Sequence, residues 1–468
     1  MFTGIRRVHL IGIGGSGMSS IADVLLRLGY QVSGSDLERS EILDNLEKHG
    51  ARVFVGHSGG NVSGTDLIVF SNAISQENPE MVAAREHGIP VIPRAEMLAG
   101  LMRMSKQGIA VAGTHGKTST ACMIAEILRT ANLDPTVIIG GIVSDLGSGG
   151  RLGTGDILVA EACESDGTIL KLSPTIGVIT SLEREHMERY ESEEDLFDTF
   201  VKFANEIPFY GTIVMCLDQP NLQALIPRIK RRILTYGLTT QSDVMAKEVQ
   251  FEGFTSQFDA YMRQGDDHKL LGRIRIASPG KFSVYNALAA ITTGLELNIE
   301  FKTIVEALGK FGRPKRRFEL RGECDGIMVV VDYGHHPTEI RETLRAAKLG
   351  WQKRVLVAFQ PHRFSRTKDL LTQFFTAFNE ADYLVITPIY AAGEKPIEGI
   401  DGRKIFEGVH RMGHKRSHFV ESKSEAVDLL VNEAKPGDMI LILGAGDIHK
   451  ISSDILGKLK GRCKEEEE

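Results

Sequence analysis

The chain has little of what an exported or membrane-bound protein needs. Its five cysteines (Cys122, Cys163, Cys216, Cys324 and Cys463) are scattered, odd in number and without a C-x-x-C pair, which excludes a disulfide framework or a zinc knuckle. Reduced thiols are expected. No purely apolar run approaches the roughly 20 residues that span a bilayer. Met1-Phe2-Thr3-Gly4-Ile5-Arg6-Arg7 lacks the long apolar region and cleavage site of a signal peptide, so a cytoplasmic location is expected. There is no excess of basic charge either. With 55 Lys and Arg against 61 Asp and Glu, the net charge of −6 argues against a general nucleic-acid binder. A local cluster such as Lys315-Arg316-Arg317 could still meet a phosphorylated small molecule. No repeat of solenoid period is found, and the terminal Lys464-Glu465-Glu466-Glu467-Glu468 reads as a solvated tail.

What the chain does have is length and glycine. Its 468 residues, 42% hydrophobic and 25% charged with 49 glycines, read as a folded α/β protein rich in tight turns. A single core rarely serves so long a chain, so domains of about 100–200 residues each are expected, three being the working number.

The most informative stretch is Gly113-Thr114-His115-Gly116-Lys117-Thr118-Ser119, which follows the apolar run Ile109 to Ala112 and precedes the helix-like segment Ala121 to Thr130. Strand, small-residue loop and helix form a phosphate-binding turn, in which backbone N–H groups converge on phosphate oxygens. Lys117 supplies a point charge there, and the Thr118 hydroxyl suits Mg²⁺. Val111 stands at the first glycine of the general G-x-x-x-x-G-K-[ST] pattern, but the flanking elements restore the assignment.

Earlier, Arg7 to Ile11 reads as a buried strand, followed by Gly12-Ile13-Gly14-Gly15-Ser16-Gly17 and a helix from Met18 to Leu28. A strand from Gln31 ends near Asp36, at the spacing of the acidic residue in a dinucleotide-binding fingerprint. Such glycines also let backbone approach the diphosphate of a UDP-sugar, and a diphosphate is preferred to a redox cofactor. Strands at Leu67–Phe70 and Pro90–Ile92 flank a helix at Pro79–His87. Runs at Ile157–Ala160 and Ile176–Thr180 suit strands buried on two faces. Asp243 to Ile276 alternates like an antiparallel excursion, Ser283 to Leu297 suits a helix, and Gly312-Arg313-Pro314 breaks the pattern. Strands at Ile327–Val331, Arg354–Phe359, Tyr383–Thr387 and Met439–Leu443 then alternate with helices.

Two strand ends near the phosphate loop carry acids. Glu161, Glu164 and Asp166 follow one, and Glu183, Glu185 and His186 follow the next; hard oxygen ligands at a strand tip suit Mg²⁺.

In these motifs the chain resembles the Mur ligases, ATP-dependent amide-forming enzymes of peptidoglycan assembly. The likeness spans Gly12 to Met18, Ser33 to Asp36, Gly113 to Thr118, Arg316-Arg317-Phe318, Asp332 to Glu339 and Gln360 to Thr367. It implies three domains. Residues 1–105 would be a Rossmann-like UDP-sugar-binding domain, 106–313 a central ATP-binding domain on a P-loop ATPase-type parallel sheet, and 314–468 a Rossmann-like domain that receives the amino acid and closes over ATP. The activity implied is attachment of L-alanine to the lactyl carboxylate of UDP-N-acetylmuramate through an acyl phosphate, with ATP and Mg²⁺, in cell wall biogenesis on which cell shape and division depend. Monomer and homodimer both remain open.

The resemblance assigns Gly113, Thr114, His115, Gly116, Lys117, Thr118, Ser119, Asn286, Arg317 and Asp332 to ATP. It gives Thr118, Glu161 and His186 to metal, and Gly14, Gly15, Ser16, Gly17, Asp36, Ser71, Asn72, Tyr333, His336 and Arg366 to the other substrates. Lys117, His186, His335, His362 and Arg363 are the catalytic set, with His335 or His362 as base for the amine. An arginine there can pair bidentately with a carboxylate. Related ligases carry a carbamylated lysine; Lys202 is the nearest candidate and stays outside this set. The chain departs from the family pattern at Cys163, Ser283, Val331 and Glu185. Competing expectations are a ligase that recycles a murein tripeptide onto the same nucleotide sugar, an NAD-dependent oxidoreductase built on Gly12 to Gly17, and a non-catalytic nucleotide-sugar binding protein.

Overall fold

Three sheets follow one another along the chain. The structure is a computed structural model that describes residues 2–140, 149–187 and 189–467, with side chains described as far as residue 462. The helix Ile451–Glu467 carries the backbone through most of the charged tail, whose side chains lie outside the described ones.

The first sheet holds β1 (Arg7–Ile11), β2 (Gln31–Asp36), β3 (Arg52–Val55), β4 (Leu67–Phe70) and β5 (Val91–Pro93), in the order β3-β2-β1-β4-β5 and parallel throughout. β1 and β4 are buried over nearly their whole length, as strands covered by helices on both faces are, and β4 is wholly apolar. The order reverses at β1, which places the Gly12 turn in the crevice at the strands' carboxyl ends.

The second sheet is built on β6 (Gln107–Ala112), β7 (Thr136–Ile138), β8 (Gly150–Arg151), β9 (Ile157–Glu161), β10 (Ile176–Ile179), β11 (Thr212–Cys216) and β12 (Arg232–Gly237). β13 (Val244–Glu252), β14 (Thr255–Gln264) and β15 (Asp267–Ile276) extend it as an antiparallel meander, and β8 is antiparallel to β7. β6 lies between β9 and β10, so the phosphate loop and both acidic strand ends emerge side by side.

The third sheet has the order β16-β17-β21-β18-β19-β20, from β16 (Glu319–Cys324), β17 (Ile327–Asp332), β18 (Val355–Phe359), β19 (Tyr383–Ile386), β20 (Ser417–Phe419) and β21 (Met439–Leu443). Alternation of strands and helices predicts a parallel sheet. It is mixed instead, because β16 returns antiparallel along β17 through the tight turn at Asp325-Gly326, both at positive φ.

One contiguous apolar core runs through the first two sheets, from Val8 to Phe311. The third sheet has cores of its own on its two faces. Polar groups dominate where the second and third sheets meet at the phosphate loop, whereas an aromatic group joins them near the Gly312 break: Trp351 lies 4.6 Å from Phe254 of the β13–β14 turn and stacks at 5.2 Å on Phe318.

Candidate functional site

Glycine is required at two points of the phosphate loop. Gly113 and Gly116 hold φ of +128° and +81°, and an added Cβ would overlap Thr180 Oγ1 at the first and Asn286 Oδ1 at the second. Backbone strain of about 1–3 kcal/mol makes Gly116→Ala expected to lower nucleotide affinity roughly tenfold or more, read by titration with a fluorescent ATP analogue. The N–H groups of Thr114 and His115 donate to Ser181, at its carbonyl (3.0 Å) and its hydroxyl (2.8 Å). The donors left free for an anion are at the start of the helix Lys117–Thr130, whose first N–H groups have no intrahelical acceptor. Lys117 Nζ donates to the Gly113 and Thr114 carbonyls and, at 3.0 Å, to both oxygens of Glu164. Burial works against its charge, but Glu164 outweighs burial and holds the ammonium well above the ordinary lysine range.

The three acids after β9 divide their labour, as an expectation of one metal ligand among them allows. Glu164 is committed to Lys117, and Asp166 pairs with Arg94. Glu161 Oε1 is buried without a hydrogen-bond partner among the described residues. An orphaned, buried carboxylate oxygen is a hard donor of the kind that suits a Mg²⁺ ion. Ligand atoms of Glu164, Glu185 and His186 lie within 4.8 Å of one another, and His186 is held at a left-handed φ of 57°. Cys163, at one departure from the family pattern, sits 2.9 Å from the Ser165 hydroxyl, and burial pushes its thiol up to about 11, so it stays protonated. Lys202 is exposed beside Arg189, Tyr190, Asp195 and Thr199, around a cavity of about 210 Å³.

From the third sheet, Asp332 at the end of β17 accepts the Phe318 and Gly334 N–H groups, each at 2.7 Å. It thereby fixes both turns that flank it. Arg317 is placed 5.2 Å over the Tyr333 ring. Arg317, Asp332, Asn286, Ser119 and Phe282 line one cavity of about 90 Å³ between the phosphate-loop helix and the helix Pro337–Trp351. Asn286 is held there by Thr120 Oγ1 at 3.2 Å.

His335 donates from Nδ1 to the Tyr333 carbonyl (3.0 Å), which turns Nε2 towards Glu185 at 3.7 Å. His336 caps the helix Pro337–Trp351 by accepting the Thr338 N–H. Arg366 is almost fully buried. It gives Nε and Nη2 to Glu185 at 3.0 and 2.9 Å and Nη1 to the carbonyl and Nδ1 of His362, both at 3.1 Å. Burial and the neighbouring cations push the His362 pKa down to about 3, so His362 is a poor base. Arg363 holds φ 69°, ψ 140°, a region that residues with a Cβ seldom adopt, fixed by its N–H on the Tyr390 carbonyl at 2.9 Å.

Burial also opposes a charge on His115, yet the carboxylates of Glu183 and Glu339 on either side of the ring outweigh it and push that pKa up to about 10. A raised histidine pKa stabilises the docked third sheet fully below the ordinary 6.5 and ever less as pH climbs towards about 10. Docking is expected to loosen over that window, and His115→Asn to remove the dependence, measured by small-angle X-ray scattering.

In the first sheet, Asp36 accepts the N–H groups of Gly14 and Leu37, both at 2.8 Å, and so holds the glycine turn in shape. Gly15 and Ser16 are exposed at the start of the helix Ser16–Arg27. Ser71 and Asn72 follow β4, and Asn72 donates to the Asp166 carbonyl at 3.2 Å. Arg94 was missed in the sequence. It packs where a Cβ on Gly17 would stand, and it binds Asp166 and Thr168, bringing the glycine turn to the acidic strand end. No motif marks it, since it opens a helix after Pro93 like any first-turn residue.

Residues 7–106 match the Mur ligase family, catalytic domain; 111–294 match the Mur ligase middle domain; and 316–446 match the Mur ligase, glutamate ligase domain. A UDP-N-acetylmuramate–L-alanine ligase of Geotalea uraniireducens is 51% identical over 98% of this chain and 100% of its own length. That of Geobacter sulfurreducens is 48% identical over 98% and 99%. Among solved structures, UDP-N-acetylmuramate-alanine ligase MurC from Thermotoga maritima superposes with a TM-score of 0.82 at 28% identity, covering 97% of this chain and 99% of that one. A murein peptide ligase from Psychrobacter arcticus shares the fold, with a TM-score of 0.72 at 24% identity over 97% and 99% of the two chains.

Proposed function

The chain belongs to the Mur ligase family, and from that premise we propose that it is an ATP-dependent ligase that joins L-alanine to the lactyl carboxylate of UDP-N-acetylmuramate in peptidoglycan precursor synthesis. The observation that carries this proposal is convergence. A buried lysine at a phosphate loop and a buried arginine of an amine-side turn, from two different sheets, are brought together through Glu164, Glu185 and His186, whose ligand atoms cluster.

The N–H groups that open the helix Lys117–Thr130, with Lys117, take the triphosphate, while Asn286, Arg317 and Asp332 line the nucleoside cavity. Gly14, Gly15, Ser16 and Gly17 cradle the sugar nucleotide's diphosphate at a helix start, with Asp36 shaping the turn and Ser71, Asn72 and Arg94 beside it. The lactyl carboxylate attacks the γ-phosphorus, ADP leaves, and an acyl phosphate results. Lys117 neutralises charge on the transferring group. Mg²⁺, held by Thr118 and Glu161 with His186 near a second position, would neutralise phosphate charge further. Alanine's carboxylate pairs with the guanidinium groups of Arg363 and Arg366 beside Tyr333 and His336. Its amine attacks the acyl carbon and expels phosphate. His335 takes the amine proton through Nε2, its Nδ1–H being fixed on the Tyr333 carbonyl.

The family divisions support boundaries near residues 105 and 313, and the reaction belongs in the cytoplasm, where ATP is supplied. Tripeptide recycling is not favoured, since relatives about half identical over the full chain carry the alanine name. Phosphate release with ATP, Mg²⁺ and UDP-N-acetylmuramate tests the assignment. It is expected with L-alanine; release with tripeptide alone, or with no amine at all, would overturn it.

A further inference from the structure

The two oxygens of Glu339 serve two different sheets. Oε1 lies 3.2 Å from His115 Nδ1 in the phosphate loop. Oε2 accepts the backbone N–H groups of His335 (3.0 Å) and His336 (3.3 Å), in the turn assigned above to the amine. His115 also turns Nε2 to Glu183 at 3.6 Å, and Glu183 accepts the Thr338 hydroxyl at 2.6 Å in the first turn of the Glu339 helix. Two carboxylates thus clasp one imidazole that is 5% exposed. The aromatic contact of Phe254, Phe318 and Trp351 joins the two sheets at the far end of the Glu339 helix, whereas at the phosphate loop this polar clasp holds the turn against the loop.

Ligand atoms of His115, Glu183 and His336 also lie within 4.8 Å of one another, a spacing a divalent metal could use. Proton bookkeeping argues against it. His336 Nδ1 accepts the Thr338 N–H, which leaves the proton of the neutral ring on Nε2, so neither nitrogen offers a free lone pair. A protonated His115 between Glu183 and Glu339 needs no further cation, and the raised pKa described above agrees with that.

We propose that His115 and Glu339 are a positioning couple through which the phosphate loop orders the Tyr333–His336 turn, so that seating nucleotide on the loop prepares the pocket that receives the amine. The couple rests on the ligase assignment. Neither side chain touches reacting atoms: the imidazole faces the two carboxylates, and its backbone N–H is engaged by Ser181. An asparagine at position 115 could still donate to Glu339 from Nδ2.

Trp351, the chain's one tryptophan, ends the helix that Glu339 begins and packs on Phe254 and Phe318, so its emission reports how that helix docks. In the full-length enzyme, His115→Ala is expected to raise the KM for alanine at least tenfold and the Kd of a fluorescent ATP analogue by a clearly smaller factor, since His115 also lines the nucleotide cavity. The Trp351 emission change on ATP addition is expected to vanish. His115→Asn is expected to restore both, and His115→Ala/Glu339→Ala to be no worse than the poorer single variant. An unchanged alanine KM in His115→Ala, or a loss of ATP affinity that matches the loss of rate, would overturn the couple. If the wild-type enzyme releases no phosphate with alanine, the ligase assignment fails instead, and the Trp351 response to ATP in wild type against His115→Ala still decides the link between loop and helix.

Discussion

Replacing Lys117 by alanine is expected to lower kcat/KM for ATP-dependent phosphate release by on the order of 10²–10³ or more, the loss seen when one preorganised charge or donor is removed from a transferring group. The substitution has a second effect, because Lys117 neutralises Glu164, which is 2% exposed at the side chain. Breaking a buried pair by removing one partner costs about 3–5 kcal/mol, so the single variant should also melt at a lower temperature. Lys117→Ala/Glu164→Gln separates the two effects. Its melting temperature, followed by circular dichroism, should recover most of the difference, while phosphate release stays low. Recovery of activity along with stability would show that Lys117 serves the fold and not the phosphate.

Arg366→Ala is expected to be nearly as damaging, and at the other end of the reaction. Arg366 is 9% and Glu185 7% exposed at the side chain, and the guanidinium spans from Glu185 of the second sheet to His362 of the third. Its loss removes one of the guanidinium groups proposed to meet alanine's carboxylate and strips the buried Glu185 of its nearest cation. The KM for alanine should rise by about two orders of magnitude, the equivalent of roughly 2.7 kcal/mol, with ATP affinity much less affected. Glu185→Gln in the same chain should restore docking of the third sheet but not the alanine KM. Steady-state kinetics at varied alanine, with scattering to follow docking, reads both.

Much of this architecture was legible because parallel strands buried on both faces leave continuous apolar runs, as at Ile109–Ala112, Ile176–Ile179 and Met439–Leu443. β3 was less so: Val53-Phe54-Val55 suits a strand, but four residues at a half-exposed sheet edge make too short a run to stand out. The antiparallel β16 escaped for a similar reason: half of it faces solvent, and alternation with helices favours a parallel reading. At the site, the phosphate loop marks Lys117 directly, whereas Asp332 and Arg366 are reached only through the family resemblance. Arg94 and Glu339 could not be assigned roles, because their partners are Asp166 and His115, 72 and 224 residues away, and only the approach of separate sheets creates those contacts. Among the acids after β9, residue type alone could not say which one is left for a metal; the cations that pair with Glu164 and Asp166 come from Lys117 and Arg94, 47 and 72 residues away.

Oxygen-18 in the lactyl carboxylate of UDP-N-acetylmuramate tests the central claim most directly, since attack of that carboxylate on the γ-phosphorus moves one of its oxygens into the phosphate released when alanine is joined. Mass spectrometry of the products should find one labelled oxygen in each phosphate and one retained in the amide. Unlabelled phosphate, released at the same alanine-dependent rate, would contradict an acyl phosphate and with it the roles of Lys117 and of the groups gathered around Arg366.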